Sequence, residues 1–425
     1  MEAVHKQWRA QELLRSNVAP LQVLASYDAP FQSEAARSNL IRLLGDASAL
    51  VGSDTELSLY TASAYLRLRN YDLALAEIQV FLAAYPEDAI GRLVQANVLT
   101  KLGRYREALN TCDLIDDARF EVSVSIIKAG AHSGMGDHEM ALSILTPIVN
   151  EDEDNARAWV NMSHALAGLG RFTESTLSAD RAISIAPLSY EAHHNRAAAL
   201  QHQKRYRESL AASERALELA PDHSDAHLVA ASSLLSLGRA QECQRHLEMY
   251  RTREGITSRG VLVESLVAVE RGDLDTADRL TMEATQRWPD DEWAWQARGY
   301  VLSRVHRHGE AIEAYEIALS VNRRLPMAIE NLTRQYCEVA QYSRVLSKIE
   351  ELRPYLPESA LLLYNEAIAR ACLGSAERAA QCLEEAIRRD PSLRVVAKSD
   401  PGLACLREFS DRMPKLEVLV GRPEN

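Results

Sequence analysis

The stretch Trp159 to Pro187, WVNMSHALAGLGRFTESTLSADRAISIAP, decides the fold of this chain. Trp159, Met162, Ser163 and Leu166 keep the i, i+3, i+4, i+7 spacing that gathers side chains on one face of a helix. Gly170 breaks that helix, because glycine enters left-handed backbone conformations without a Cβ penalty. Phe172, Ser175, Ala179, Ala182 and Ile183 mark the face of a second helix, and Pro187 stops it. The stretch therefore reads as a helix–turn–helix. One such hairpin cannot bury its apolar face alone and needs a neighbour to stack on.

The neighbours are present. The small residue at Ser163 returns at Ala62, Ala96, Ala129, Ala197, Ala231, Ser265, Gly299, Thr333 and Ala367, in steps of 34 residues except for one of 33 between Ala96 and Ala129. The turn carries Gly103, Gly136, Gly170, Gly238, Gly272 and Gly374, often followed by an aromatic: Tyr71, Tyr105, Phe172, Tyr206 and Tyr342. Ala182, Ala216, Ala284, Ala318 and Ala386 recur late in the second helix, and Pro86, Pro187, Pro221, Pro289, Pro357 and Pro391 close six units. The small residues have a packing reason: the closest helix crossings admit only Ala, Ser or Gly.

These residues resemble the tetratricopeptide repeat, whose pattern is a large residue, a small one four later, a turn glycine, an aromatic, two alanines and a closing proline. The resemblance implies an all-α, right-handed α-solenoid (superhelix) of tandem helix–turn–helix units with short helical caps. Residues 55–393 hold ten repeats, 1–54 an amino-terminal helical cap or degenerate repeats, and 394–425 a capping helix and tail. Asp400-Pro401 is expected to open that helix, from Gly402 to about Arg412. Two units depart from the pattern: the one near Arg253 has Leu274 at the aromatic position, and the one from Glu121 has His138 there and Glu153 in place of the proline.

The formal net charge of -12 weighs against DNA, RNA or anionic membrane as partner, since each rewards a basic face. No apolar run reaches spanning length, so no membrane insertion is expected, and the amino terminus lacks a signal-peptide core. Six cysteines without a regular framework read as reduced thiols, and the expected location is cytoplasmic. No phosphate-binding glycine loop, nucleophile elbow, HExxH or kinase set is present, so neither enzyme activity nor a cofactor is expected. His193-His194, His223 and His227 invite a metal reading, but His193 and His227 fall where Trp159 and Trp295 stand in other units and read as packed rings.

Binding is expected on the concave face, which first helices line in tetratricopeptide arrays. The candidate groove residues are Asn161, His164, His194, Asn195, Trp293, Tyr300, Asn331, Arg334 and Asn365, with an apolar middle at Leu228, Val229, Leu262, Val263 and Leu266. Asn161 and Asn195 are 34 residues apart, as are Asn331 and Asn365, all at one register. A carboxamide both donates and accepts, so a row of them can pair with an extended peptide backbone. The row resembles the asparagine ladder of protein O-linked N-acetylglucosamine transferases and peroxisomal import receptors, though here it is broken into two pairs. Asparagine is also simply common at a solvated position, and both readings stand. The lysine–asparagine–arginine order of the co-chaperone carboxylate clamp is absent: Lys101, Arg67 and Arg157 do not follow it. Trp293 reads as a possible side-chain anchor. The expected function is a non-catalytic scaffold or adaptor for one or more partner proteins, taken up through an extended or helical segment. The alternative is an accessory or regulatory subunit of a protein-modifying or glycosyltransferase complex.

Overall fold

The structure, a computed structural model, describes residues 55–355, 359–404 and 406. The described residues form an all-α solenoid of 21 helices without a strand, consecutive helices packing as hairpins. Residues 1–54, Pro357 and the tail 415–425 lie outside the described residues. The chain divides into two compact units between Leu237 and Gly238.

In the first unit the first helices of successive hairpins are α1 (Thr55–Arg67), α3 (Ala89–Lys101), α5 (Glu121–Gly134), α7 (Ala156–Gly168), α9 (Tyr190–His202) and α11 (Ser224–Ser236). The second helices are α2 (Tyr71–Ala84), α4 (Tyr105–Asp113), α6 (His138–Glu151), α8 (Phe172–Ile185) and α10 (Tyr206–Leu219). In the second unit α12 (Ala240–Glu254) precedes first helices α13 (Ser258–Glu270), α15 (Glu292–Arg304), α17 (Pro326–Glu338) and α19 (Ala360–Cys372). Their partners are α14 (Leu274–Arg287), α16 (His308–Val321), α18 (Tyr342–Leu352) and α20 (Ala376–Arg389), followed by α21 (Leu393–Ser399). Within each unit successive first helices also touch one another and form an inner layer.

All ten small residues of the repeat are buried, nine of them completely by surface area, so the helix approach they permit is realised. Gly299 is the tenth; a Cβ there would lie 2.8 Å from the Tyr315 ring. Where the small residue is serine its hydroxyl needs a partner. Ser163 Oγ donates to the Ser175 carbonyl and Ser175 Oγ to the Ser163 carbonyl, each at 2.8 Å.

Each hairpin turn passes through the left-handed region. Six turns use the expected glycines; the other four place Arg69, Lys204, His306 and Ala340 there, with φ of 55–59°. The second helices carry a further rule that the hydrophobic pattern does not contain. Where the residue before the helix is Arg104, Arg171, Arg205, Arg239 or Arg307, no side chain caps the helix. Instead the arginine pairs with a glutamate three residues on, Glu107, Glu174, Glu208, Glu242 or Glu310.

His138 fills the aromatic position of its unit in fact as well as in register. Its ring lies against Gly168, as Tyr105 lies against Gly134, and Phe172 stacks on His202 at 4.4 Å between centroids. At the carboxyl end Asp400 accepts from the Gly402 amide as expected, but the segment begins as a single 3-10 turn, Pro401–Leu403. The short α21 precedes it, and Leu403 and Leu406 cover the last repeat beside Tyr364, Ile368 and Leu383.

Candidate binding face

The inner layer of the first unit is stapled by the asparagines. Asn161 Nδ2 donates to the Ile126 carbonyl at 3.1 Å, and Asn195 Nδ2 to the Val160 carbonyl at 3.0 Å. In the second unit Asn365 Nδ2 repeats the move on the Glu330 carbonyl at 3.1 Å, 35 residues back in every case. The register recognised in the sequence therefore has a structural duty: it fixes the amide of one inner helix on the backbone of the previous one. Asn161 and Asn195 remain half-buried, and among the described residues no hydrogen bond engages their Oδ1 atoms. Asn331 and Asn365 are buried, at 9% and 2% exposure, and Asn331 Oδ1 accepts from Arg334 Nη2. The second pair is thus engaged inside the stack and does not present a matching rung.

Around Asn161 and Asn195 the first unit gathers a polar, aromatic floor. His164 is exposed, and Ser133 bridges its Nδ1 (2.9 Å) to His138 Nδ1 (3.0 Å). One hydroxyl proton cannot serve both rings as acceptors, so one imidazole donates to Ser133 while the other accepts. Although His164 is exposed by surface area, the density of neighbouring side chains around its ring desolvates it, and this and then Lys101 lower its pKa. His194 packs on His223 at 4.6 Å between centroids, and Tyr190 meets His223 edge-on at 5.3 Å. Desolvation pushes the Tyr190 hydroxyl well above its ordinary value and His223 well below, the latter reinforced by His194 and Arg69.

Two ion pairs connect this floor to distant hairpins: Lys101 to Glu191 at 3.4 Å and Arg69 to Asp222 at 3.3 Å. The Arg69 guanidinium also lies 5.3 Å from the Tyr190 ring centroid.

In the second unit the inner stripe of α15 carries Trp293, Gln296, Tyr300 and Arg304, one helical turn apart. Trp293 and Tyr300 are half-buried, and Arg334 stands on the neighbouring α17. Burial pushes the Tyr300 phenol up, Arg304 and Arg334 pull it back, and Glu270 adds to the push. Four of the five residues of the apolar stretch expected in the groove are core instead: Leu262 and Val263 of this unit are 8% and 3% exposed, and Leu228 and Val229 of the first 5% and 7%, while Leu266 is half-buried.

The histidines proposed as packed rings behave like the tryptophans they replace. Trp159 and Trp295 donate their indole N–H to the carbonyl six residues earlier, and His193 and His227 place Nε2 3.0 and 3.1 Å from the equivalent Pro187 and Pro221 carbonyls. His223 caps α11, its Nδ1 accepting from the Ala226 amide. Among the described residues no three metal-ligating side chains converge. No helix among them is long and apolar enough to cross a membrane.

A family model described as tetratricopeptide repeat matches residues 33–119 and 194–242, and a second of the same description matches 156–187. The first match begins inside the segment before α1. No curated protein matches the chain. Among solved structures, the APC/C hetero-tetramer Cut9-Hcn1 aligns at 14% identity over 91% of this chain and 82% of that one, with a TM-score of 0.53. Yeast Tom70 aligns at 11% identity over 98% of both chains, TM-score 0.47. YrrB, a TPR protein with an unusual peptide-binding site, aligns at 16% identity over 44% of this chain and 95% of that one, TM-score 0.30. At 14% identity the likeness to Cut9-Hcn1 extends to fold alone.

Proposed function

The chain is a tetratricopeptide repeat protein, and from that premise we propose that it is a non-catalytic scaffold whose inner helix face takes an extended segment of a partner protein. The observation that carries this reading is the pair Asn161 and Asn195. Each amide is oriented by its hydrogen bond to the preceding inner helix, so the two carbonyl oxygens stand pre-set as acceptors for backbone N–H groups one repeat apart. Pre-orientation reduces the ordering cost of binding. His164, hydrogen-bonded to Ser133, and His194, packed on the His223 ring, flank the pair, which suits recognition of a main chain with adaptable side chains. In this reading Trp293, Tyr300 and Arg334 belong to a second contact surface, and Asn331 and Asn365 support it from within.

The test is site-specific photocrosslinking in the native cell. A photoreactive residue at His164 is expected to capture a partner that the same residue at Arg215, on the outer layer, does not. Replacing Asn161 and Asn195 by alanine should abolish capture. Gln203→Ala, which removes a comparable bond to the Phe172 carbonyl, should lower thermal stability similarly while leaving capture intact. Equal capture from Arg215, or capture that survives the asparagine substitutions, would rule the reading out. If the captured protein is an enzyme acting on other proteins, the accessory-subunit role replaces that of a simple adaptor.

A further inference from the structure

Two ion pairs of the first unit join hairpins that are not neighbours in the stack. Lys101, in the last turn of α3, reaches Glu191, in the first turn of α9, at 3.4 Å, although α5 and α7 stand between those helices in the inner layer. Arg69, just beyond α1, reaches Asp222, just before α11, at 3.3 Å, with α3, α5, α7 and α9 between. A repeat array stacks on contacts between neighbours, so these long connections are not needed for stacking. Both have the same polarity: the cation stands at the carboxyl end of an early inner helix and the anion at the amino end of a late one. The polarity recurs in the sequence. Arg67 precedes Lys101 by 34 residues and Asp225 follows Glu191 by 34, each couple at one register of the repeat. The asparagine floor lies between the two charged rims. Glu191 is one helical turn before Asn195 on α9, and His164, one turn after Asn161 on α7, stands in the field of both Lys101 and Asp225.

We propose that these pairs form an electrostatic latch that draws the two ends of the first unit's inner layer together over Asn161 and Asn195, and that entry of a partner segment requires the latch to open. The two pairs differ in exposure. Lys101 and Glu191 are 40% and 38% exposed, so water and salt screen their attraction. Arg69 and Asp222 are better shielded, and the Tyr190 ring, 5.3 Å from the guanidinium, holds the arginine further. The first pair is therefore the one that opens, and the second is the anchor about which it does so. An exposed pair contributes little to stability and breaks at correspondingly little cost, which lets an arriving segment displace it. The proposal rests on the reading of the inner layer as an interaction face for what the latch controls, not for the latch itself.

The test places two nitroxide labels on the full chain, at Arg106 of α4 and Glu214 of α10. Both positions are exposed, and each lies on the second helix of a hairpin that supplies one partner of the Lys101–Glu191 pair. Attachment through a ketone-bearing amino acid leaves the native cysteines unlabelled, and pulsed electron resonance reads the distance between the labels. At about 0.1 M salt the parent is expected to give one narrow distance. Raising the salt to about 1 M shortens the Debye length from about 10 Å to about 3 Å and should add a longer, broader component. Lys101→Glu, which sets like charges against each other, should produce that component at low salt, and combining it with Glu191→Lys should restore the parent distance. Glu174→Gln, which breaks the exposed Arg171–Glu174 pair of α8, should leave the distance unchanged. The parent distance in Lys101→Glu, a charge swap that fails to restore it, an equal shift in Glu174→Gln or a distribution indifferent to salt would each overturn the latch. Photocrosslinking from His164 reads what the latch controls: capture should rise several-fold in Lys101→Glu and return to the parent level in the swap. Unchanged capture in the opened variant would overturn the gating role. The distances are read without any partner, so failure of the latch and failure of the asparagine reading are distinguishable.

Discussion

Arg69, in the turn of the first described hairpin, places Nη1 3.3 Å from Oδ1 of Asp222, 153 residues later in the chain. Both side chains are largely shielded, at 22% and 16% exposure. The pair joins the turn after α1 to the loop before α11, across the floor that holds Tyr190 and His223. A double-mutant cycle with Arg69→Met and Asp222→Asn should return a coupling of about 1 kcal/mol in urea unfolding, at the upper end for a partly exposed pair. A coupling near zero would mean that the bridge contributes nothing in solution.

Arg69 also sits at φ 59°, where a side chain is strained, and its ion pair offsets that strain. Ala340 occupies the equivalent turn at φ 55° with only a methyl group. Ala340→Gly should therefore stabilise the chain by roughly 0.5–1 kcal/mol, the relief of the left-handed Cβ less the extra freedom of glycine in the unfolded chain. Arg69→Gly should lower stability despite the same relief. Melting temperatures of the two variants moving in the same direction would contradict this account.

Gly168 is glycine because His138 lies on it. A Cβ there would stand 2.2 Å from His138 Nε2, and Ser133 holds that ring in place. Gly168→Ala is expected to cost about 1–3 kcal/mol by overpacking, more than the helix propensity it gains. Adding His138→Ala should recover part of the loss, which thermal unfolding of the double variant will show.

His202 is exposed by surface area, yet the Phe172 ring stacked on one of its faces and the crowding around it desolvate the imidazole and lower its pKa to about 4; its solvent-facing edge limits how much stability that shift carries. Its folded pKa is depressed, so the folded chain keeps the ring neutral while the unfolded chain takes up a proton near pH 6.5. The stability tied to the neutral ring is complete above about pH 6.5 and declines as pH falls toward 4. The melting temperature should fall across that window, and His202→Gln should flatten the slope. An unchanged slope would assign the acid sensitivity elsewhere, with His164 the next candidate because its pKa is lowered too.

Trp295 and His193 both direct a ring nitrogen at the carbonyl six residues back, and a carbonyl only accepts. His193 must therefore carry its proton on Nε2. His193→Phe should destabilise by about 1 kcal/mol through the lost hydrogen bond, and His193→Trp should be tolerated or stabilising. Nitrogen chemical shifts of the His193 ring will report the tautomer directly.

The hairpins, their ten small packing residues and six of the turns were legible in the sequence, because each depends on side-chain size or backbone freedom at one position. The four other turns were not, since Arg69, Lys204, His306 and Ala340 adopt the left-handed conformation only under the geometry imposed by the flanking helices. The asparagine register was visible too, but not its use: the acceptors are the carbonyls of Ile126, Val160 and Glu330, and a backbone oxygen leaves no trace in residue identity.

What the sequence by itself determined was the repeating unit, whose contacts are local or one repeat away and recur with the period. What only the tertiary structure decided was which inner residues are spent and which remain available. It buried Asn365 and Leu262, left Asn161 and Arg304 accessible, and brought Arg69 to Asp222. Those outcomes depend on small angles between successive hairpins, summed over several repeats, and no single position encodes such a sum.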